Sequence, residues 1–172
     1  MQRWICVIRD QWRDWLSWAG LILMLLYMVL CLFFRQVTVI GDSMSPTLEE
    51  GQSCTIKKYL YEAPARGDIM VIKYRSEEHD DIDLGEGNHY LIKRVVAVPR
   101  DTVEIKKTIV YINGEAIEEP YVSEWEIDEE MSMLRLGDDE YFLMGDNRDN
   151  SLDSRLFGPV SKEEFWGKLL RY

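Results

Sequence analysis

Phe33-Phe34-Arg35-Gln36-Val37-Thr38-Val39-Ile40-Gly41-Asp42-Ser43 is where the chain changes character. Upstream, residues 15–34 are 20 consecutive positions without a charge, rich in Leu, Ile, Met, Val and Phe. At 1.5 Å rise per residue such a helix is about 30 Å long, the thickness of a hydrocarbon core. Trp4, Trp12, Trp15 and Trp18 gather at its N-terminal end, where indole rings suit the lipid–water boundary. A cleavable leader would have an apolar core of about 7–15 residues and a small-x-small site. This run is longer and has no such site after it, so a retained membrane anchor is expected. Arg3, Arg9 and Arg13 precede the span and only Arg35 lies close behind it, which places the short tail in the cytoplasm and the remainder outside. The expected organisation is a tail at 1–14, an anchor at 15–35 and an extracytoplasmic domain at 36–172.

Downstream, the periodicity becomes that of strands. Short alternating or β-branched runs at 37–40, 53–57, 68–74, 90–98, 102–106, 109–112 and 140–144 are separated by turn signals. Asn113-Gly114 between two such runs is a two-residue hairpin signal. Ser161-Lys162-Glu163-Glu164 has the capping-box order and predicts one short C-terminal helix. The fold class is therefore mostly β, an antiparallel sheet domain behind one N-terminal transmembrane helix. Two acidic stretches, 77–88 and 124–130, read as solvated loops.

Composition narrows the function. With 47% hydrophobic residues the chain can build a core, and a net charge of -11 opposes nucleic-acid binding. Cys6, Cys31 and Cys54 lie before, inside and after the apolar run, so they are expected to remain thiols. His79 and His89 sit in or beside an acidic stretch without ligand spacing, so no metal or cofactor is expected.

Three stretches could carry chemistry. The first is Gly41-Asp42-Ser43-Met44-Ser45-Pro46-Thr47-Leu48, a serine past a strand end with a flexible residue before it and a stiff one after it. It reads equally as an ordinary turn or as a nucleophile mount. A serine needs a base, and the best placed is Lys93 within Tyr90-Leu91-Ile92-Lys93-Arg94-Val95-Val96-Ala97-Val98, a run apolar enough to be a buried strand. Burial would favour a neutral amine there; alternatively, Lys93 and Arg94 point one inward and one outward, each with its charge in water. His89 is a weaker base. The third stretch is Gly145-Asp146-Asn147-Arg148-Asp149-Asn150-Ser151-Leu152-Asp153-Ser154-Arg155, either a set of Asx-turns or a polar network that orients the other two.

Together with Arg66-Gly67-Asp68-Ile69-Met70-Val71, these segments resemble the boxes of the bacterial type I signal peptidases, in the right order behind one span, over about residues 36–168. The resemblance implies a membrane-bound serine endopeptidase that removes signal peptides from exported preproteins. Ser43 is then the nucleophile and Lys93 the general base. Ser151 orients the Lys93 amine, Asp153 and Arg155 form a bracing ion pair, and Asp146 and Arg94 are further supports. It implies recognition of an extended peptide with small residues at the first and third positions before the cut, held between residues 36–41 and 90–92. Val39, Met44, Leu48, Leu91 and Ile92 would wall the pockets, with Met44 also touching membrane lipid. No nucleic acid or cofactor takes part, and a monomer is expected. A non-catalytic relative would have lost Ser43 or Lys93. A self-cleaving repressor of the Ser-Lys type would carry a DNA-binding part where this chain has a span.

Two departures stand out. Gly41 occupies a position where some members have a serine that donates to the oxyanion, which leaves that site one donor short. Pro99-Arg100-Asp101 replaces a Pro-Gly-Asp turn, and Arg100 is strained if the turn needs positive φ.

Overall fold

A computed structural model of the chain describes residues 2–59, 62–75, 88–123 and 125–171. The acidic stretch at 77–87 and His79 lie outside the described residues. Helix α1 (Gln2–Phe33) is continuous from the N-terminal tail through the apolar run. Its segment Trp15–Phe33, 19 residues with mean hydropathy 2.4, is long and apolar enough to cross a membrane, and it meets the domain at Phe33, whose ring stands edge-on to Tyr59.

The change of period at Phe34 is a change of structure. Eleven strands follow among the described residues: β1 (Phe34–Thr38), β2 (Ser53–Lys57), β3 (Ile69–Arg75), β4 (Asn88–Ala97), β5 (Thr102–Lys107), β6 (Ile109–Ile112), β7 (Glu115–Ala116), β8 (Glu129–Arg135), β9 (Glu140–Met144), β10 (Val160–Ser161) and β11 (Phe165–Arg171). All their pairings are antiparallel. One sheet has the order β1-β2-β11-β3-β4-β9-β10 and the other β7-β6-β5-β8. Asn113 and Gly114 turn the β6–β7 hairpin, both at positive φ.

Strand alternation distributes the core. On β3, Ile69 and Val71 enter one cluster with Val39, Met44, Leu48 and Ile56, while Met70 and Ile72 enter another with Val95, Leu143 and Phe165. A register shift in β4 between Val95 and Ala97 turns Val96 and Ala97 toward a third cluster. There they meet Val103, Ile105, Val110 and Ile112, which locks the second sheet onto the first. Three strands separate β1 from β4 in the sheet order, yet both line one groove. The sheet therefore curls until its first edge faces the middle of β4.

Two elements differ from their sequence expectation. Glu129, inside the supposed acidic loop, starts β8, because its backbone pairs with β5 and its carboxylate meets Arg155. The short C-terminal helix takes the form of α2 (Ser154–Phe157) and a 3-10 turn at Lys162–Glu164, where the capping box is made. Beyond that turn the chain becomes β11, which lies between β2 and β3. Gly167 permits this insertion: a Cβ there would stand 3.1 Å from Ile56 and from the Lys57 carbonyl oxygen. The turn at Arg100 does use positive φ, 73°, as the glycine-free sequence feared. Its backbone N–H donates to Gly137 O at 3.1 Å, which holds it there.

Candidate active site

β1 ends at Thr38, and Val39 is then fastened by donating to Gln52 O and accepting from Gly51 N–H, each at 2.9 Å. Gly41, at φ 83°, swings the chain away from the strand direction. Met44 and Leu48 anchor the far side of the turn in the core, joined by a 2.9 Å bond from Leu48 N–H to Met44 O. Ser43 is thus carried between a glycine pivot and two buried side chains.

Lys93 approaches it from β4. It is only 2% exposed and its cross-strand neighbour is Met70. Its Nζ lies 2.6 Å from Ser43 Oγ. Burial pushes the Lys93 ammonium down to about 8; Asp153, Asp146 and Asp42 act against that shift and Arg155 with it. Removal from water thus outweighs the nearby carboxylates, and a large share of the side chain is a neutral amine in mildly alkaline solution.

The next residue is also buried but is treated oppositely. Arg94 donates through Nε and Nη2 to the two oxygens of Asp146, at 2.8 and 2.5 Å. Its Nη1 donates to Gly67 O at 2.9 Å, and its guanidinium lies 4.0 Å over the Tyr121 ring. This fork-to-fork pairing keeps a full charge inside the protein.

The polar box forms the third wall. Asp153 caps α2 and accepts from Gly145 N–H at 2.9 Å and from Arg155 Nε and Nη2 at 2.8 and 2.9 Å. Burial alone would raise its carboxyl, but Arg155, Gly145 N–H and the adjacent Ser151 hydroxyl together hold it below the usual carboxylate range. Arg155 reaches further to Glu129 at 2.7 Å and to Arg148 O at 2.8 Å. Arg148, fully buried, forks onto Glu119 at 2.8 and 2.6 Å with its guanidinium over Trp125. Ser151 Oγ is buried and makes no hydrogen bond of full geometry, so the expected bond from it to Lys93 is not formed.

Of the residues selected from sequence, Ser43, Lys93, Arg94, Asp146, Ser151, Asp153 and Arg155 converge here. Val39, Met44, Leu91 and Ile92 line a groove of about 550 Å³ beside Ser43 and Lys93, together with Val37, Thr38, Ile40, Val71, His89, Tyr90 and Trp166. Leu48 does not line it: the residue is 0% exposed, in the core behind the turn. Met44 is buried as well, so the lipid-facing role expected of it falls away; Ile40, 88% exposed, is the open apolar residue of this segment.

Sequence reading overlooked Gly145, Glu119, Tyr121 and Trp125. Gly145 is needed for close approach, since a Cβ there would overlap Ser151 Oγ and stand 2.5 Å from the Ser43 carbonyl oxygen. Its place at the head of the polar box was the available signal. The other three come from a stretch with no motif: Glu119 and Trp125 answer to the buried guanidinium of Arg148, and the Tyr121 ring to that of Arg94. Among the described residues no cluster of His, Cys, Asp and Glu side chains is placed to hold a metal ion.

Residues 12–172 match the family model described as "Signal peptidase, peptidase S26". Signal peptidase I S of Bacillus subtilis (strain 168) is 34% identical over 156 residues, covering 81% of this chain and 78% of the relative. Signal peptidase I P of Bacillus subtilis subsp. natto is 35% identical over 153 residues, covering 83% and 77%. A crystal structure of a signal peptidase I from Enterococcus faecalis V583 aligns with 28% identity and a TM-score of 0.48, covering 63% of this chain and 98% of that one.

Proposed function

Because the chain belongs to the signal peptidase family, peptidase S26, and is a serine peptidase of that family, we propose that it cuts exported precursors with a Ser43–Lys93 dyad, after a small residue at the end of the signal peptide. The observation that carries this reading is the 2.6 Å approach of a buried lysine amine to a serine hydroxyl at the end of a groove. The neutral Lys93 amine takes the Ser43 proton as Oγ attacks the scissile carbonyl, and the ammonium so formed returns a proton to the leaving amine. Deacylation repeats the relay with water in place of the serine. The Ser43 backbone N–H receives the oxyanion. Arg94–Asp146 and Arg155–Asp153 hold the walls without entering the chemistry.

Binding follows from the two strand edges. Val39 directs its backbone N–H and C=O toward residues 51 and 52. Strand alternation therefore turns those of Thr38 and Ile40 the other way, into the groove. Across it, β9 pairs with β4 only from Arg94 onward, so among the described residues that edge of β4 has no strand beside it at 90–93. An extended peptide can pair with both edges and place alternate side chains against Val39, Met44, Leu91 and Ile92. The span at Trp15–Phe33, two residues shorter than the expected 15–35 because Phe34 and Arg35 belong to β1, tethers this groove at the outer membrane surface, with the N-terminal tail in the cytoplasm and the sheet domain outside.

Incubating the purified full chain in lipid with a set of exported precursors, wild type beside Ser43→Ala, and weighing the products tests the reading. A single cut after a small residue, absent with Ser43→Ala, is expected. Uncut precursors with the wild type, or equal cutting by both proteins, would overturn it.

A further inference from the structure

The nucleophile turn is fastened to the polar box by groups for which the dyad reading has no use. Asn150 Nδ2 donates to both Asp42 carboxylate oxygens, at 2.9 and 3.1 Å. Asn147 Nδ2 lies 3.3 Å from Asp42 O, and Asn147 N–H donates to Ser43 O at 3.0 Å. Asp42 O also accepts from Ser45 N–H at 2.9 Å. A carboxylate only accepts, so the amide nitrogen of Asn150 must face it. Without this fastening little holds the approach to Ser43: β1 has ended, Ile40 is 88% exposed and Gly41 is a pivot at φ 83°.

We propose that Asp42 is a positioning residue for the reaction: gripped by Asn150 and Asn147, it ties the turn that carries Ser43 to the polar box and so keeps Ser43 Oγ within reach of Lys93 Nζ. The inference rests on the Ser43–Lys93 reading and adds to it. Steric fit at Gly145 sets how closely the Ser43 carbonyl can approach the box, and the Asp42 clamp sets the direction from which it comes. The role is not merely structural, because Asp42 is also one of the carboxylates whose charge reaches Lys93. Burial lowers the Lys93 value, Asp153, Asp146 and Asp42 raise it and Arg155 lowers it. Neutralising Asp42 removes one of the raising charges, so the amine becomes available at lower pH.

The test combines kinetics with a direct titration of Lys93. Asn150→Asp sets two carboxylates against each other and should lower kcat about a hundredfold with KM within about twofold, the effect of displacing a reacting group by about 1 Å. Adding Asp42→Asn to that variant restores a donor opposite a carboxylate, and kcat should return to within about threefold of wild type. Asp42→Asn alone, which is isosteric, should move the acid limb of kcat/KM to lower pH. The same downward move should appear in the Lys93 signal of [13C]lysine-labelled full chain, identified by its loss in Lys93→Met. If Asn150→Asp keeps kcat within twofold of wild type, if the double exchange does no better than Asn150→Asp, or if the Lys93 midpoint does not move in Asp42→Asn, the proposal is overturned. If the wild type cuts no precursor while the Lys93 midpoint still moves down, the proposed reaction fails and the Asp42 contact with the dyad stands.

Discussion

Lys93 and Arg94 are neighbours on β4, both buried, and on opposite faces of the strand. On one face the cation has an apolar cross-strand partner and a hydroxyl, and burial pushes it down to about 8, so that it gives up its proton in mildly alkaline solution. On the other a carboxylate forks onto the guanidinium, a carbonyl accepts from it and a ring covers it, and the charge survives. In the proposed reaction these two basic residues, one position apart, serve as a base and a brace. The difference lies in what stands opposite each: a lone serine cannot repay the desolvation of an ammonium, whereas a bidentate carboxylate goes far toward repaying that of a guanidinium.

The comparison can be broken in four places. Lys93→Ala and Ser43→Ala should each lower precursor cleavage on the order of ten-thousandfold with an unchanged melting profile for Ser43→Ala; near-normal turnover by Lys93→Ala would remove lysine as the base. On the other face, Asp146→Ala should cost about 3–5 kcal/mol in denaturant unfolding, because it leaves a buried guanidinium unpaired. Replacing both partners, Arg94→Met with Asp146→Leu, should cost clearly less, and an equal cost would mean the pair is not the source.

Third, Lys93→Met should stabilise the protein on the order of 3 kcal/mol at pH 6. The sign follows from the folded value of about 8 against an ordinary lysine near 10.5. Between them the unfolded chain binds more protons, so wild-type stability rises with pH across that window, and the advantage of Lys93→Met shrinks through it and vanishes above it. A pH-independent difference between the two proteins would show that the Lys93 charge carries no such cost. Last, the rate should climb with pH about a midpoint near 8, and a flat profile from pH 6 to pH 10 would separate the rate from Lys93.

Much of the fold was legible because it is written in local periodicity. The 20-residue apolar run and the period-two strands state their surroundings directly, and β2, β6 and β9 fall on the expected residues. β8 and β11 were not legible for separate reasons. The acidic run around Glu129 signals water, but a strand of the smaller sheet can carry carboxylates outward and still pair through its backbone. Phe165, Gly167 and Leu169 do alternate as buried residues, yet the capping box before them signals a helix, and only insertion between β2 and β3 decides for a strand. The site was legible as three polar or basic boxes. Glu119, Tyr121 and Trp125 were not, since their relevance depends on two arginines, Arg94 and Arg148, that lie 23–29 positions away.

The stretch from Phe33 to Ser43 shows where that limit lies. Sequence alone determined that a span ends there, that β structure begins, and that a serine sits on a mobile-backbone turn, because each depends on residues within a few positions. It also supplied a lysine 50 positions on and a polar box about 100 on. Only tertiary structure decided that these meet at 2.6 Å, that burial pushes the lysine down to about 8 and that Leu48 belongs to the core rather than the groove. The physical reason is that a pKa and a contact depend on what the whole sheet excludes from water when it curls, and no local pattern encodes that closure.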